Sequence, residues 1–239
     1  MDETELTGRV RALRDKGCSP KEIARAIGVP RSAVAPLIKS IAAQDDTSPA
    51  AREVVECWVS PNWSDGLTVD RHPEWPDVKV PDSGGSGLVS VLVARDAGRH
   101  RVSVCGYLVD VFCLGVKNTI GPHVMDRHAL TMFARSYFDA YHASPLAVPM
   151  ELVQHLVFGA VEYARDLGFE PAAGSDFETT KDHLGQWTGP SAIRFGRDCQ
   201  PFFVEGPHDN AAKVVATLRR SVGPDNFHYL VGAERSPAN

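Results

Sequence analysis

The sequence predicts an α+β protein in which a short helical unit precedes a mainly antiparallel sheet packed with helices. Three observations support this fold class. Apolar residues recur at helical spacing within residues 1–43, and two Val- and Leu-rich segments flank a polar turn between residues 88 and 112. After residue 53 the elements run as strands, then helices, then strands again, without the strand–helix alternation that parallel sheets need.

Composition excludes several classes of protein. Hydrophobic residues make up 43% of the 239 residues and charged residues 23%, so a chain disordered throughout is excluded. The mean hydropathy is -0.18 and no apolar run approaches about 18 residues, which excludes a membrane-spanning helix. The first segment, MDETELTGRV, predicts neither a signal peptide nor a transit peptide, so we expect a cytoplasmic protein without a membrane partner.

The five cysteines favour reduced thiols over disulfides, because their number is odd and their spacing forms no framework. A zinc ribbon or finger is also disfavoured, since no two cysteines lie two to four residues apart. The cysteines are Cys18, Cys57, Cys105, Cys113 and Cys199.

Composition and charge divide the chain into two domains. We predict a helical domain at 1–43, a linker at 44–52, and an α+β domain at 53–239 with a long irregular loop at 60–87. Residues 1–43 hold eight Lys/Arg against five Asp/Glu, a formal charge of +3, which leaves the remainder at -8. This asymmetry indicates that any contact with nucleic acid is made by the first domain.

The elements of the second domain follow from local patterns of apolar residues and turn residues. The stripe of apolar residues in 149–167 predicts an amphipathic helix that ends near Gly168. The other predicted elements are an edge strand at 53–59, a hairpin of 88–95 with 101–112, a helix at 126–142, a short helix at 175–185, a second hairpin in which AIRF and PFFVE flank GRDCQ, a helix at 210–221 capped by Asp209 or Asn210, and a strand at 227–231.

The most informative segment is Pro20–Lys39, which matches the requirements of two short helices crossing at a tight turn. Ala24 is the small residue expected where the helices touch, and Gly28 is the glycine expected at the turn. Ser19 and Glu22 form a predicted capping box with a proline at the first helical position. The interface positions are filled by apolar residues: Ile23, Ile27, Val29, Val34 and Leu37.

This segment resembles the helix-turn-helix of bacterial DNA-binding regulators and of recombinase or resolvase DNA-binding domains. The preceding helix, Glu5–Lys16, supplies the third element of a trihelical unit, and the resemblance covers about one sixth of the chain. It implies that Arg31, Ser32 and Ala33 open the recognition helix, with Arg31 and Ser32 nearest to base edges. It further implies phosphate contacts by three lysine and arginine side chains. These are Lys21, Arg25 and Lys39.

Pro36 departs from the helix-turn-helix pattern, because it falls inside the recognition helix. There it removes one backbone hydrogen bond and opposes the carbonyl of Ser32, at a cost of roughly 3 kcal/mol in a helix interior. Since Pro36 lies just past the first turn, we expect a kink rather than a break.

Four acids of the second domain are candidates for a divalent-metal nuclease or phosphoesterase site: Asp110, Glu162, Glu205 and Asp209. Asp110 interrupts an apolar run, and Lys117 is its expected partner if it is buried. Glu162 has a simpler interpretation as a solvated residue. Cys113 could act as a nucleophile with a nearby histidine, although a thiol among apolar residues is usually inert.

His123, Asp126 and His128 carry metal-binding groups close together in the sequence. Their offsets place them on one face of neither a helix nor a strand. We therefore predict no metal site, but a polar loop leading into a helix with Asp126 as its N-cap. No cofactor is predicted, since no Lys-Ser/Thr pair follows the SGGSG run.

The sequence as a whole favours a transcriptional regulator that binds double-stranded DNA and is not an enzyme. The second domain would sense a ligand or mediate oligomerisation, and a homodimer is expected because one helix-turn-helix reads only a few base pairs. Two alternatives remain open. One is a nucleic-acid-directed, metal-dependent hydrolase or nuclease, and the other is an antitoxin-like or adaptor protein whose acidic body binds a protein partner.

Overall fold

A computed structural model describes most of the chain and divides it into two compact units, Met1–Arg52 and Glu53–Asn239, which we call unit 1 and unit 2. The described residues are 3–15, 18–44, 51–70, 72, 75–81, 85–141, 143–172 and 174–232. Helices and a mainly antiparallel sheet form an α+β fold, which confirms the predicted class. Within these ranges no helix combines the length and the apolar character needed to cross a membrane. Residues 45–50 of the predicted linker lie outside the described residues.

Unit 1 consists of three helices around a small apolar core. They are α1 (Glu3–Asp15), α2 (Pro20–Ile27) and α3 (Arg31–Gln44). Each helix contributes to the core, whose fully buried members are Val10, Ile23 and Val34, with Ala24 at 8% exposure. The small side chain of Ala24 suits its position between packed helices.

Local hydrogen bonds define both ends of α2. The Ser19 hydroxyl accepts from the Glu22 N–H, and the Glu22 carboxylate accepts from the Ser19 N–H at 2.7 Å, so the predicted capping box is present. At the other end, Gly28 adopts a left-handed conformation with φ 75°, and its N–H donates to the Ala24 carbonyl. These bonds stop α2 after eight residues and turn the chain towards α3.

Pro36 lies within α3, and the helix continues beyond it to Gln44. A proline at this position supplies no N–H to the Ser32 carbonyl, one turn earlier. The hydrogen-bonding deficit is confined to one carbonyl near the exposed start of the helix, where water can replace the missing donor.

Unit 2 is built on a five-stranded sheet with strand order β5-β4-β3-β1-β6, in which every pairing is antiparallel. Its strands are β1 (Val54–Val59), β2 (Thr68–Val69), β3 (Leu88–Asp96), β4 (Arg101–Asp110), β5 (Gly115–Asp126), β6 (Leu146–Ala147), β7 (Ile193–Arg194), β8 (Phe202–Val204) and β9 (His228–Leu230). The helices are α4 (Leu130–Tyr137), α5 (Met150–Asp166), α6 (Phe177–Thr180) and α7 (Ala211–Ser221), and 3-10 helices span Arg127–Ala129 and Lys181–Leu184.

The predicted β3–β4 hairpin is confirmed, and it forms the centre of the sheet. The strand predicted at 53–59 is also present as β1, but the expectation of an edge strand was wrong, because the short β6 pairs with it at Trp58 and Val59. The loop predicted at 60–87 is largely irregular, and among its described residues the one strand is the two-residue β2.

Two helices cover the two faces of the sheet. The predicted helix at 149–167 is confirmed as α5, which packs Leu152, Leu156 and Val157 against one face. The Phe169 N–H donates to the Ala164 carbonyl at 2.8 Å, a bond typical of a glycine-terminated helix end, as expected from Gly168. On the opposite face, α4 packs its buried side chains against β3 and β4.

The segment before α4 differs from the prediction, because the expected polar loop is the long strand β5. It pairs with β4 over most of its length and has polar residues because it is an outer strand with many exposed side chains. The helix expected from residue 126 begins instead with the 3-10 helix Arg127–Ala129. Asp126 precedes it, but its side chain makes no capping hydrogen bond, so that part of the prediction was wrong.

The second predicted hairpin was also wrong. β7 pairs with β2, and β8 pairs in parallel with β9, so the flanking segments of GRDCQ do not pair with each other. Only the bridge between Arg197 and Gln200 joins the two sides of the turn, where Asp198 and Cys199 have positive φ. Pro201 follows directly, and because proline lacks an N–H the hairpin ladder cannot continue there.

Besides the two apolar clusters on the faces of the five-stranded sheet, unit 2 has a third apolar cluster, which lies between α7 and the sheet of β8 and β9. Its fully buried residues include Cys113, Phe203 and Leu218, so the β4–β5 turn takes part in it. The predicted helix at 210–221 is confirmed, and Asn210 is its cap, accepting from the Lys213 N–H at 3.0 Å.

Two glycines with positive φ provide a matched test of packing at the β4–β5 turn. A Cβ on Gly115 (φ 68°) would lie 2.9 Å from the Ala164 Cβ, whereas a Cβ on Gly98 (φ 70°) would meet nothing within 4 Å. We expect Gly98→Ala to lower the free energy of unfolding by about 1–2 kcal/mol from backbone strain alone. Gly115→Ala should lower it by about 2–5 kcal/mol, because overpacking adds to the strain. Urea unfolding measures both, and equal losses would contradict the predicted close contact with α5.

Candidate functional site

In unit 1, the side chains predicted to bind phosphate and bases lie at the surface wherever they are described. Lys21 and Arg25 are exposed and one turn apart on α2. Ser32 is exposed and Ala33 half-buried in the first turn of α3. The side chains of Arg31 and Lys39 lie outside the described part of the structure.

Lys21 and Arg25 have no acidic partner among the described residues. Neither side chain has an ion pair or a hydrogen bond within the described residues. The nearest acid in sequence, Glu22, is engaged at the helix cap, where hydrogen bonds from the Ser19 side chain and backbone lower the pKa of its carboxyl. Within the described part of unit 1, neither cation therefore has an internal anion.

Asp110 is buried at the end of β4, where it organises the β4–β5 turn. Its carboxylate accepts hydrogen bonds from the N–H groups of Phe112 at 2.9 Å and Cys113 at 3.0 Å. Burial raises the pKa of Asp110 to about 6, while the turn N–H groups and the charge of Lys117 act in the opposite direction. The geometry is that of a buried turn cap.

Lys117, the partner predicted for Asp110, forms its ion pair with Asp209 instead. The Lys117 Nζ lies 2.6 Å from the Asp209 Oδ2, and both side chains are largely buried, at 20% and 11% exposure. Asp209 also accepts from the Gly206 N–H at 2.8 Å. The pair therefore ties β5 to the turn that precedes α7, and it explains why Asn210 rather than Asp209 caps that helix.

Cys113 is a buried thiol of the third apolar cluster. Burial raises the pKa of its thiol, and the negative charges of Asp110 and Asp209 raise it further. Because the thiolate is the reactive form, this environment disfavours a nucleophilic role. Burial likewise raises the pKa of Cys57 and Cys105 to about 12, whereas Cys199 is exposed and Cys18 half-exposed.

The remaining acidic candidates lie in separate surroundings. Glu162 is exposed on α5 and accepts a hydrogen bond from the Trp187 indole N–H. Glu205 accepts from the Gly232 N–H at 2.9 Å. Over the described ranges, no three His, Cys, Asp or Glu side chains are grouped so that they could hold a metal ion.

The histidine-rich segment likewise forms no metal-binding group among the described residues. His123 and Asp126 are exposed on β5, three positions apart, so they point to opposite faces of the strand. His128 lies beyond them in the 3-10 helix, also exposed. The strand therefore keeps these groups apart.

Sequence reasoning missed an aromatic cluster centred on His155 of α5. The imidazole lies 5.0 Å from the Trp75 ring and 5.1 Å from the Trp187 ring, and His72 stacks on Trp75 at 4.0 Å. The His155 Nδ1 accepts the Ala192 N–H at 2.9 Å, so the neutral ring carries its proton on Nε2. Burial lowers the pKa of His155. A ring held in this tautomer serves packing rather than general-base chemistry.

Sequence reasoning also missed a cavity of about 390 Å³ at one end of the sheet. Its walls include the aromatic rings of Trp63, Phe112 and Tyr141. Three polar groups in the wall have partners, since Asn62 bonds the backbone of Val80, the Tyr141 hydroxyl donates to Ser90 at 2.8 Å and Asp65 pairs with Lys79. The lining therefore combines aromatic faces with a few polar groups. No local pattern signals the cavity, because its walls come from four separate segments.

Comparison of the chain with protein-family models, with curated protein sequences and with solved structures finds no match. The geometry of the chain itself therefore carries the functional argument.

Asp110→Asn tests the energetic cost of the buried carboxylate. Because the folded-state pKa of about 6 exceeds the ordinary value of 3.8 for an aspartic acid, the contribution of Asp110 to stability is full below about pH 4 and is lost as the pH rises through 6. The amide keeps an acceptor for the turn but does not ionise. We expect the unfolding free energy of the variant, relative to the parent chain, to rise by up to about 3 kcal/mol between pH 4 and 7.

Urea unfolding across that pH range measures this difference. Asp225→Asn is the control, because it removes a carboxylate at the surface. A pH-independent difference for Asp110→Asn would contradict the assigned burial.

Proposed function

We propose that the protein is a DNA-binding transcriptional regulator that contacts double-stranded DNA through unit 1. The observation that carries the proposal is the α2–α3 pair, in which a left-handed Gly28 ends the first helix and a buried Ala24 lies at the helix contact. This is the arrangement that a helix-turn-helix requires, and it agrees with the sequence resemblance of Pro20–Lys39.

In this proposal α3 is the recognition helix. The first residues of such a helix contact base edges in the major groove, which gives that role to Arg31 and Ser32. The exposure of Ser32 supports the assignment, and so does the continuity of α3 through Pro36.

Lys21 and Arg25 are assigned to the phosphate backbone. Each removes a condensed counterion when it neutralises a phosphate, so binding should weaken as salt is added. Support comes from their exposure and from the lack of a competing acid among the described residues. A homodimer is part of the proposal, because one helix-turn-helix reads too few base pairs for useful affinity.

Unit 2 is assigned a sensing role in the same proposal. The cavity beside Trp63, Phe112 and Tyr141 has a volume of about 390 Å³, within the range of pockets that hold small ligands. Its aromatic walls favour a small, ring-containing molecule.

The double variant Lys21→Ala/Arg25→Ala tests the DNA contact. Fluorescence anisotropy with a labelled duplex of mixed sequence, recorded between about 50 and 200 mM salt, gives the association constant and its salt dependence. We expect binding roughly tenfold weaker, and a slope of log K against log salt that is smaller by about 1 for each lost contact.

Lys213→Ala is the matched control, because it removes an exposed lysine from α7 of unit 2. Circular dichroism melting confirms that each variant is folded. Binding by the double variant that equals binding by the control would refute the assignment of this surface.

A further inference from the structure

The tip of the β3–β4 hairpin holds two basic residues in an unusual backbone conformation. Arg99 (φ 53°) and His100 (φ 63°) both have positive φ, although each carries a Cβ. Such conformations are unfavourable and persist where surrounding bonds enforce them. Here the Arg101 N–H donates to the Gly98 carbonyl at 3.0 Å, closing the turn beneath the two side chains.

A second basic segment is hydrogen-bonded to this turn. The Arg127 N–H donates to the His100 carbonyl at 2.8 Å, which holds the 3-10 helix after β5 beside the hairpin. Five exposed basic side chains are thereby gathered at one end of the sheet, and we call them the basic tip: Arg99, His100, Arg101, Arg127 and His128.

Arg101 and Arg127 make no ion pair within the described residues, although two acids lie in the same segments. The Asp96 carboxylate accepts from the Gly98 N–H at 3.0 Å and so serves the turn. Asp126 lies opposite Arg101 in the strand register without an ion pair to it.

Four other surface cations of unit 2 have acidic partners. Lys79, Lys181, Arg165 and Arg194 each lie within hydrogen-bond or ion-pair distance of an Asp or Glu. In a chain of net charge -5, the basic tip gathers three arginines and two histidines at one end of the sheet, and two of the arginines, Arg101 and Arg127, have no ion pair within the described residues.

The basic tip also lies where the chain enters unit 2. The first residue of that unit, Glu53, accepts through its carbonyl a hydrogen bond from the Asp96 N–H at 2.9 Å.

We propose that the basic tip is a second DNA contact that binds the phosphate backbone. The inference rests on the proposed function and extends it, because it adds unit 2 to the DNA-binding surface. Guanidinium groups suit phosphate oxygens in geometry and charge, and contacts to phosphate fix the position of a protein on a duplex without reading sequence. The contact should therefore raise affinity for all sequences alike.

The test uses the full chain with Arg101→Gln/Arg127→Gln, which keeps long polar side chains while removing two charges. The control is Lys213→Gln/Arg219→Gln, which removes two exposed charges from α7. Both are compared with Lys21→Ala/Arg25→Ala by anisotropy on duplexes of two unrelated sequences. For the tip variant we expect binding roughly tenfold weaker on both duplexes and a salt slope smaller by about 2.

The outcomes separate this inference from the proposed function. If the tip variant binds like its control while Lys21→Ala/Arg25→Ala is weakened, the second contact is refuted and the function stands. If the tip variant is weakened and Lys21→Ala/Arg25→Ala is not, the tip is supported and the unit 1 surface is refuted. If the parent chain binds neither duplex, the proposed function and the tip contact are both refuted. A loss confined to one sequence overturns the backbone assignment.

Discussion

The architecture of unit 2 depends on the β4–β5 turn, whose backbone N–H groups donate to the buried carboxylate of Asp110. With its own N–H groups bonded to Asp110, the β4–β5 turn can use its remaining backbone groups to hold distant segments. The Val111 N–H donates to the Gly87 carbonyl at 2.8 Å, and the Val111 carbonyl accepts from Gly196 at 3.0 Å. One ionisable group thus supports the end of the sheet, the loop that borders the cavity and the segment leading to β8. A carboxylate is a costly choice at a buried site, but its Oδ1 accepts from both the Phe112 and the Cys113 N–H groups.

The parts of the fold that could be predicted are those whose interactions are local in sequence. The β3–β4 hairpin consists of two Val- and Leu-rich segments around a polar turn, and α5 carries an apolar stripe, so both elements can be recognised from nearby residues alone. The strand β5 lies at the margin of the sheet, where polar residues are tolerated, and its composition therefore resembles a loop. The partners of β7 and β8 are β2 and β9, remote in the sequence, and nothing near GRDCQ indicates them.

The candidate sites show the same difference between interactions that are local in sequence and interactions between remote segments. Asp110 stood out against apolar neighbours, and the structure places it as a buried group, yet Lys117 pairs with Asp209, 92 residues away. The clustering of His72, Trp75 and His155 depends on loop paths that no periodic pattern encodes. In unit 1, by contrast, the cap at Ser19 and the turn at Gly28 are set by residues within one helical turn, which is why the sequence alone indicated them.

The distribution of thiols has a practical consequence for spectroscopy. Cys57, Cys105 and Cys113 are buried, while Cys18 in unit 1 and Cys199 in unit 2 are the accessible ones. A maleimide reagent should therefore modify these two positions first, one on each unit. The native chain thus carries attachment points for a donor and an acceptor dye, and energy transfer between them would follow the separation of the units without engineered cysteines.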